Sequence, residues 1–234
     1  MQEIFGIISD IHGNHLALRT VLAEAKKLKV SHLIFLGDIV GYYYEPKECL
    51  AMLSDWDVIY IRGNHEIMMK DMILGKLKTQ DVIDDYGHGL KIACAQLSED
   101  QIEFLINLPD SQILDIGSKK ILACHGTPWD KNAYLYPDSP DNIYSKWNSN
   151  EIDFLLTGHT HYQMVKKLSN TTVVNPGSVG QQRERNPGAA WATIDFEFAS
   201  INLRRQGYEL KALITQVETF DPQSKYLKEV LTRQ

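Results

Sequence analysis

Cysteine is scarce in this chain. Cys49, Cys94 and Cys124 are odd in number, far apart and without knuckle spacing. That excludes a disulfide scaffold and a thiolate metal site, and core thiols in a reducing cytoplasm are expected. Long apolar runs are missing too. No stretch approaches the roughly 20 residues that span a bilayer. The opening MQEIFGIISDIHG meets acidic residues too soon to read as a signal peptide. A cytoplasmic protein with no membrane partner is therefore expected. Positive charge is in short supply: 24 Lys and Arg stand against 30 Asp and Glu, a formal net charge of -6. Such a chain has no general field for nucleic acid, and no long nucleic-acid track is expected. Repeats, low-complexity tracts and long linkers are absent, so residues 1–234 are expected to form a single domain. Nothing in the sequence fixes the oligomeric state.

What the chain does have is an ordered alternation of elements. IFGIIS, residues 4–9, reads as a short buried strand. Leu16, Leu18, Val21, Leu22, Ala25 and Leu28 then fall at near-helical spacing, which predicts a helix over 14–29. A second strand covers 31–38, and a helix with Pro46 in its first turn covers 46–53. VIYIRGNHE, residues 58–66, is a third strand and its exit. Strand, helix, strand, helix, strand argues for an α/β fold with parallel strands. Periodicity makes 65–108 mostly helical. A turn at Gly117 and Ser118 precedes a strand into His125, and another strand covers 153–161. VVNPGSV, AAWATIDFE and ASINLRRQGYE are strand-like runs with antiparallel or mixed pairing. Residues 224–233 have the pattern of a short helix.

Five segments share one local design, a strand-like run ending in polar residues beside glycine. They are SDIHG (9–13), GDIVG (37–41), GNHE (63–66), CHG (124–126) and GHTH (158–161). Open parallel sheets place ligands beyond the carboxyl ends of their strands, and glycine permits the sharp turn there. If two sheets face each other, all five exits meet at one edge. They would bring together Asp10, His12, Asp38, Asn64, His65, His125, His159 and His161. Nitrogen and oxygen ligands of this kind suit Mn²⁺, Fe, Co²⁺, Ni²⁺ or Zn²⁺. Their number exceeds the needs of one ion, so two ions about 3.5–4 Å apart are expected. Asp10 and His12 lie two apart, as do His159 and His161, and on a strand each pair would point one way. His15, His32 and His88 read as ordinary surface or core histidines.

These motifs resemble the calcineurin-like metallophosphoesterase family: D-I-H-G at Asp10, G-D at Gly37, G-N-H-E at Gly63, H-G at His125 and G-H-T-H at Gly158. They run in the family's order, and NPGSVGQQR (175–183) is similar to its small bacterial and archaeal phosphoesterases. The resemblance implies two facing mixed β-sheets flanked by helices, a four-layer α-β-β-α sandwich with a two-metal edge. It implies that Asp10, His12 and His161 hold one ion, that Asp38 bridges, and that Asn64, His125 and His159 complete the other. Manganese is the expected metal. His65 would stand off the metals as a proton donor near the leaving oxygen, with Glu66 orienting it or the ligands. Asn64 and Asp38 also belong to the expected reacting centre. The implied activity is hydrolysis of small-molecule phosphomonoesters or phosphodiesters.

RGNHE is also similar to serine/threonine phosphoprotein phosphatases and dinucleoside polyphosphate hydrolases of the same superfamily. Those carry Asp-Arg shortly after G-D, where this chain has Gly41 and Tyr42. The missing arginine argues against such substrates, and Arg183 or Arg185 is a candidate replacement. Tyr42, Tyr43 and Tyr44 either stack on a substrate or pack their loop. GTPWDKNAYLYPDSP (126–140), with Trp129, Tyr134 and Tyr136, is either a roof over the site or a self-packed loop.

Overall fold

The computed structural model describes residues 3–130, 132–144, 146 and 150–233. The first half is β1 (Phe5–Ile8), α1 (His15–Lys27), β2 (His32–Phe35), α2 (Pro46–Leu53) and β3 (Val58–Tyr60). Four helices follow: α3 (Asn64–Ile73), α4 (Thr79–Tyr86), α5 (Gly89–Gln96) and α6 (Glu99–Ile106). Then come β4 (Ser111–Ile116), β5 (Lys119–Cys124), the single turn α7 (Asp141–Tyr144), β6 (Phe154–Leu156), β7 (Gln163–Lys167) and β8 (Thr172–Pro176). The chain closes with β9 (Ala189–Asp195), β10 (Ser200–Gln206), α8 (Lys211–Phe220) and α9 (Tyr226–Glu229).

Two five-stranded mixed sheets result, ordered β10-β9-β1-β2-β3 and β4-β5-β6-β8-β7. β1, β2 and β3 are parallel, as are β5, β6 and β8, while β4, β7, β9 and β10 pair antiparallel. Strand side chains alternate between faces. Phe5, Ile7, Ile34, Leu36, Ile121, Ala123, Phe154, Leu156, Ala192 and Ile194 therefore fill one core between the sheets. The opposite faces bury Ile8, Leu33, Phe35 and Trp191 under the N-terminal helices, and Cys124, Leu155 and Val173 beside Leu135 and Tyr144. Burial on both faces explains why these strands read as nearly continuous apolar runs.

Helix α1 shows how locally the elements are specified. The Asn14 side chain accepts from the Ala17 amide and caps its start. Ala17, Leu18, Val21, Leu22 and Ala25 form its buried stripe. Because both sheets present the carboxyl ends of their parallel strands at the same edge, the loops after β1, β2, β3, β5, β6 and β8 converge there.

Candidate metal centre

All eight sequence-identified residues reach this edge. Asp10, His12, Asp38, His65, His125, His159 and His161 are buried. Their ligand atoms form three overlapping groups within 4.8 Å: Asp10 with His12 and His161, His12 with Asp38 and His65, and Asp38 with His125 and His159. Asn64 joins through Oδ1, 2.9 Å from His125 Nε2. His65 thus shares one of these groups with His12 and Asp38.

Proton placement shows that the centre fits cations. His12, His125 and His161 each direct Nδ1 at a backbone carbonyl, of Val40, Leu36 and Gln181 respectively. A carbonyl only accepts, so each Nδ1 carries a proton and Nε2 is the atom of each ring left to take an ion. Those Nε2 nitrogens face inward. His12 Nε2 and His161 Nε2 are 3.3 Å apart, and His161 Nε2 is 3.1 Å from Asp10 Oδ1. His125 Nε2 is 3.2 Å from Asp38 Oδ2. His159 is turned the other way, its Nε2 facing the Asn132 carbonyl and leaving Nδ1 for the centre. Each carboxylate spends one oxygen on an amide: Asp10 Oδ2 accepts from His159 N, and Asp38 Oδ1 from His65 N. Asp10 Oδ1 is buried without a hydrogen bond. Nitrogen and carboxylate ligands packed this closely in a dry site call for positive charge between them, from protons or from metal ions. The His/Asp groups make up a dinuclear divalent-metal site.

Burial raises the Asp10 and Asp38 carboxyls, but the surrounding imidazoles outweigh it and hold both below their usual range. Burial lowers His12, and lowers His65 and His159 to about 4. For His125 burial also lowers, yet the Asp38 carboxylate wins and pushes it up to about 10. In the metal-free protein a proton on His125 takes the place of a cation.

The backbone corrects one sequence argument. Asp10 and His12 lie beyond the end of β1, and His159 and His161 beyond β6, so strand alternation does not align them. All four, with Asp38, have left-handed φ between 51° and 65°. Asp and His tolerate this conformation better than branched residues. Gly41 has φ 94°, and a Cβ there would sit 2.3 Å from His65 Nδ1. Glu66 does not touch His65 through a hydrogen bond. Its carboxylate accepts from the amides of Gly63, Asp38, Ile39 and Val40, tying the β2 exit to the start of α3. Burial and the Asp38 charge push this carboxyl up to about 7, opposed by the amides.

A sixth exit follows β8. The Asn175 side chain donates to the Gly158 carbonyl, and Ser178 Oγ donates to the Asp10 carbonyl. The Gln181 carbonyl fixes the His161 ring. The Pro-Gly after an apolar run signalled this exit, but its lack of acidic or histidine side chains hid its role. Of the tyrosines, Tyr43 and Tyr44 pack against α8 and α9, while Tyr42 packs on His12 and His65 with ring centroids 4.7 and 5.0 Å away. Behind Tyr42 and Tyr86 lies a cavity of ≈ 570 Å³. Tyr134 stacks on His159 at 4.2 Å, so part of the 126–140 segment roofs the centre, whereas Trp129 is exposed. Lys131 of that segment lies outside the described residues. Arg183 reaches Tyr42, whereas Arg185 is exposed.

Comparison with known proteins agrees with this geometry. The sequence model described as Calcineurin-like phosphoesterase superfamily domain matches residues 4–197. The chain is 29% identical over 233 residues to the uncharacterized protein MJ0912 of Methanocaldococcus jannaschii, covering 90% of each. Its fold is similar to that of hypothetical protein PH1004 from Pyrococcus horikoshii OT3, with TM-score 0.84, 23% identity and 97% of each chain covered. It is also similar to a metallophosphoesterase from Sphaerobacter thermophilus, with TM-score 0.77, 24% identity and 97% and 98% of the two chains covered. Histidine and aspartate clusters at the strand exits of this fold equip the chain as a metal-dependent phosphoric ester hydrolase. With the match running from before Asp10 to beyond Arg183, this chain belongs to the calcineurin-like phosphoesterase superfamily.

Proposed function

We propose that this chain hydrolyses small-molecule phosphomonoesters or phosphodiesters with two divalent ions, and that manganese activates it best. The observation that carries this reading is the inward-facing set of imidazole nitrogens and carboxylate oxygens. Asp10, His12 and His161 would hold one ion, Asp38 would bridge, and Asn64, His125 and His159 would hold the other. Bound there, such ions neutralise phosphoryl oxygens and make water a stronger nucleophile.

The chain's own groups supply orientation and the proton. Backbone carbonyls lock three ring directions, and backbone amides lock one oxygen of each aspartate. His65 stands at the start of α3 with its Nδ1 buried and unpartnered. A phosphoryl anion beside it would raise its proton affinity and let it protonate the leaving oxygen. Tyr42 and Tyr86 exclude water on that side. Residues 1–234 act as a single domain in this reading, and the three free thiols suit a reducing cytoplasm. The decisive experiment is a substrate panel of phosphomonoesters, phosphodiesters, cyclic nucleotides, dinucleoside polyphosphates and phosphopeptides, with manganese. Turnover of only the last two classes would replace this reading with the phosphoprotein or dinucleotide alternative.

A further inference from the structure

One cation beside the centre has no anionic partner. Arg183 Nη2 donates to the Tyr42 hydroxyl at 3.2 Å and contacts Gln181 Oε1 at 3.4 Å, both neutral. Its Nε is buried with no acceptor. Among the described residues, no carboxylate forms an ion pair with it, whereas Arg62 is tied to Asp110 and Arg205 to Glu184. The loop holds Arg183 against the metal centre from two sides. Gln181 fixes the His161 ring, and Tyr42 packs edge-on against the His12 ring.

Burying a guanidinium without a counter-charge is costly, and a bound anion removes that cost. The planar fork matches phosphoryl oxygens better than an ammonium does. A monoester offers three unsubstituted oxygens and up to two negative charges, a diester only two oxygens and one charge. An extra fixed cation therefore rewards the monoester more. We propose that Arg183, positioned by the Tyr42 hydroxyl, binds a substrate phosphoryl oxygen and biases this centre toward phosphomonoesters. The inference rests on the phosphoesterase reading for its substrate, and on the orphaned guanidinium for its site.

The test uses manganese-loaded full-length protein and the variants Arg183→Gln, Arg183→Lys and Tyr42→Phe. The readouts are kcat/KM for an aryl phosphate monoester and diester, metal content, and calorimetric binding of inorganic phosphate. Arg183→Gln should lower the monoester value about 10²-fold and the diester value less than about tenfold, with metal content unchanged. Phosphate affinity should fall about tenfold or more. Arg183→Lys, which keeps the charge but loses the fork, should fall between, and Tyr42→Phe should shift selectivity the same way by a few-fold. Equal losses on both esters, or unchanged phosphate affinity, would overturn the proposal. Loss of a metal ion in both arginine variants would also overturn it, because Arg183 would then be supporting His161. If wild-type protein hydrolyses neither ester while phosphate binding still depends on Arg183, the phosphoesterase reading fails and the anion site stands.

Discussion

His12 Nε2 and His161 Nε2 face each other across 3.3 Å, each ring having turned its Nδ1 to a backbone carbonyl. Two ring nitrogens aimed at one point beside Asp10 make a seat for a cation. Full reconstitution should give two ions per chain by elemental analysis. At a metal concentration near 100 Kd, chelation should then cost about 2.7 kcal/mol per site, or a Tm drop of roughly 5–10 °C. A single ion at saturation, or an unchanged Tm, would rule out the two-ion centre.

Loading should also release a proton. His125 is pushed up to about 10 in the metal-free protein, so its imidazole is charged at pH 8. An ion taking its Nε2 must displace that proton, about one per chain. Affinity should therefore strengthen as pH rises from 7 toward 10, and weaken as pH falls. Calorimetry in buffers of different ionisation enthalpy measures the proton count, and a count of zero at pH 8 would contradict the assignment.

Glu66 is predicted to act as a clamp on the backbone. Glu66→Gln would set an NH₂ group against two amide donors, at a cost of about 2–4 kcal/mol. The Asp38 loop should loosen and metal content should fall. Thermal melts with metal analysis check this. A stable Glu66→Gln protein with both ions bound would mean that the native carboxyl already carries a proton near pH 7.

Adjacent residues should separate cleanly. Asn64→Ala should lower metal occupancy and slow every substrate. His65→Ala should keep both ions and slow alkyl phosphates by about 10²–10⁴-fold, with much smaller effects on aryl esters whose leaving oxygen needs no proton. The structure makes this test sharper, since His65 shares a group of candidate ligand atoms with His12 and Asp38. A lost ion in His65→Ala would make it a ligand, and equal slowing across leaving groups would make it a phosphoryl stabiliser.

The sequence disclosed the site through composition at strand ends. Asp10, Asp38, Asn64, His65, His125, His159 and His161 carry their chemistry visibly, and glycine marks each turn. Sequence reasoning named Glu66 as orienting His65 or the ligands but not its hold on main-chain amides, and it did not find Gln181, which contributes only a carbonyl. Helix α8 was also hidden. KALITQVETF is rich in branched residues that read as strand, and its helix is settled by packing Leu213 and Val217 on the Tyr42–Tyr44 cluster. The strand β7 was obscured by its two lysines at a sheet edge.

Strand β1 has a consequence for biosynthesis. It pairs with β2 on one side and with β9 on the other, and the loop after it is fastened by Ser178 and Gly180. A ribosome has delivered Asp10, His12, Asp38, Asn64 and His65 long before β9 emerges. Until then one edge of β1 is open and Ile7 lacks its full cover from the second sheet. The growing chain thus carries metal-binding side chains that it cannot yet aim, with an apolar edge exposed to association. Ion capture is deferred until β9 has been made.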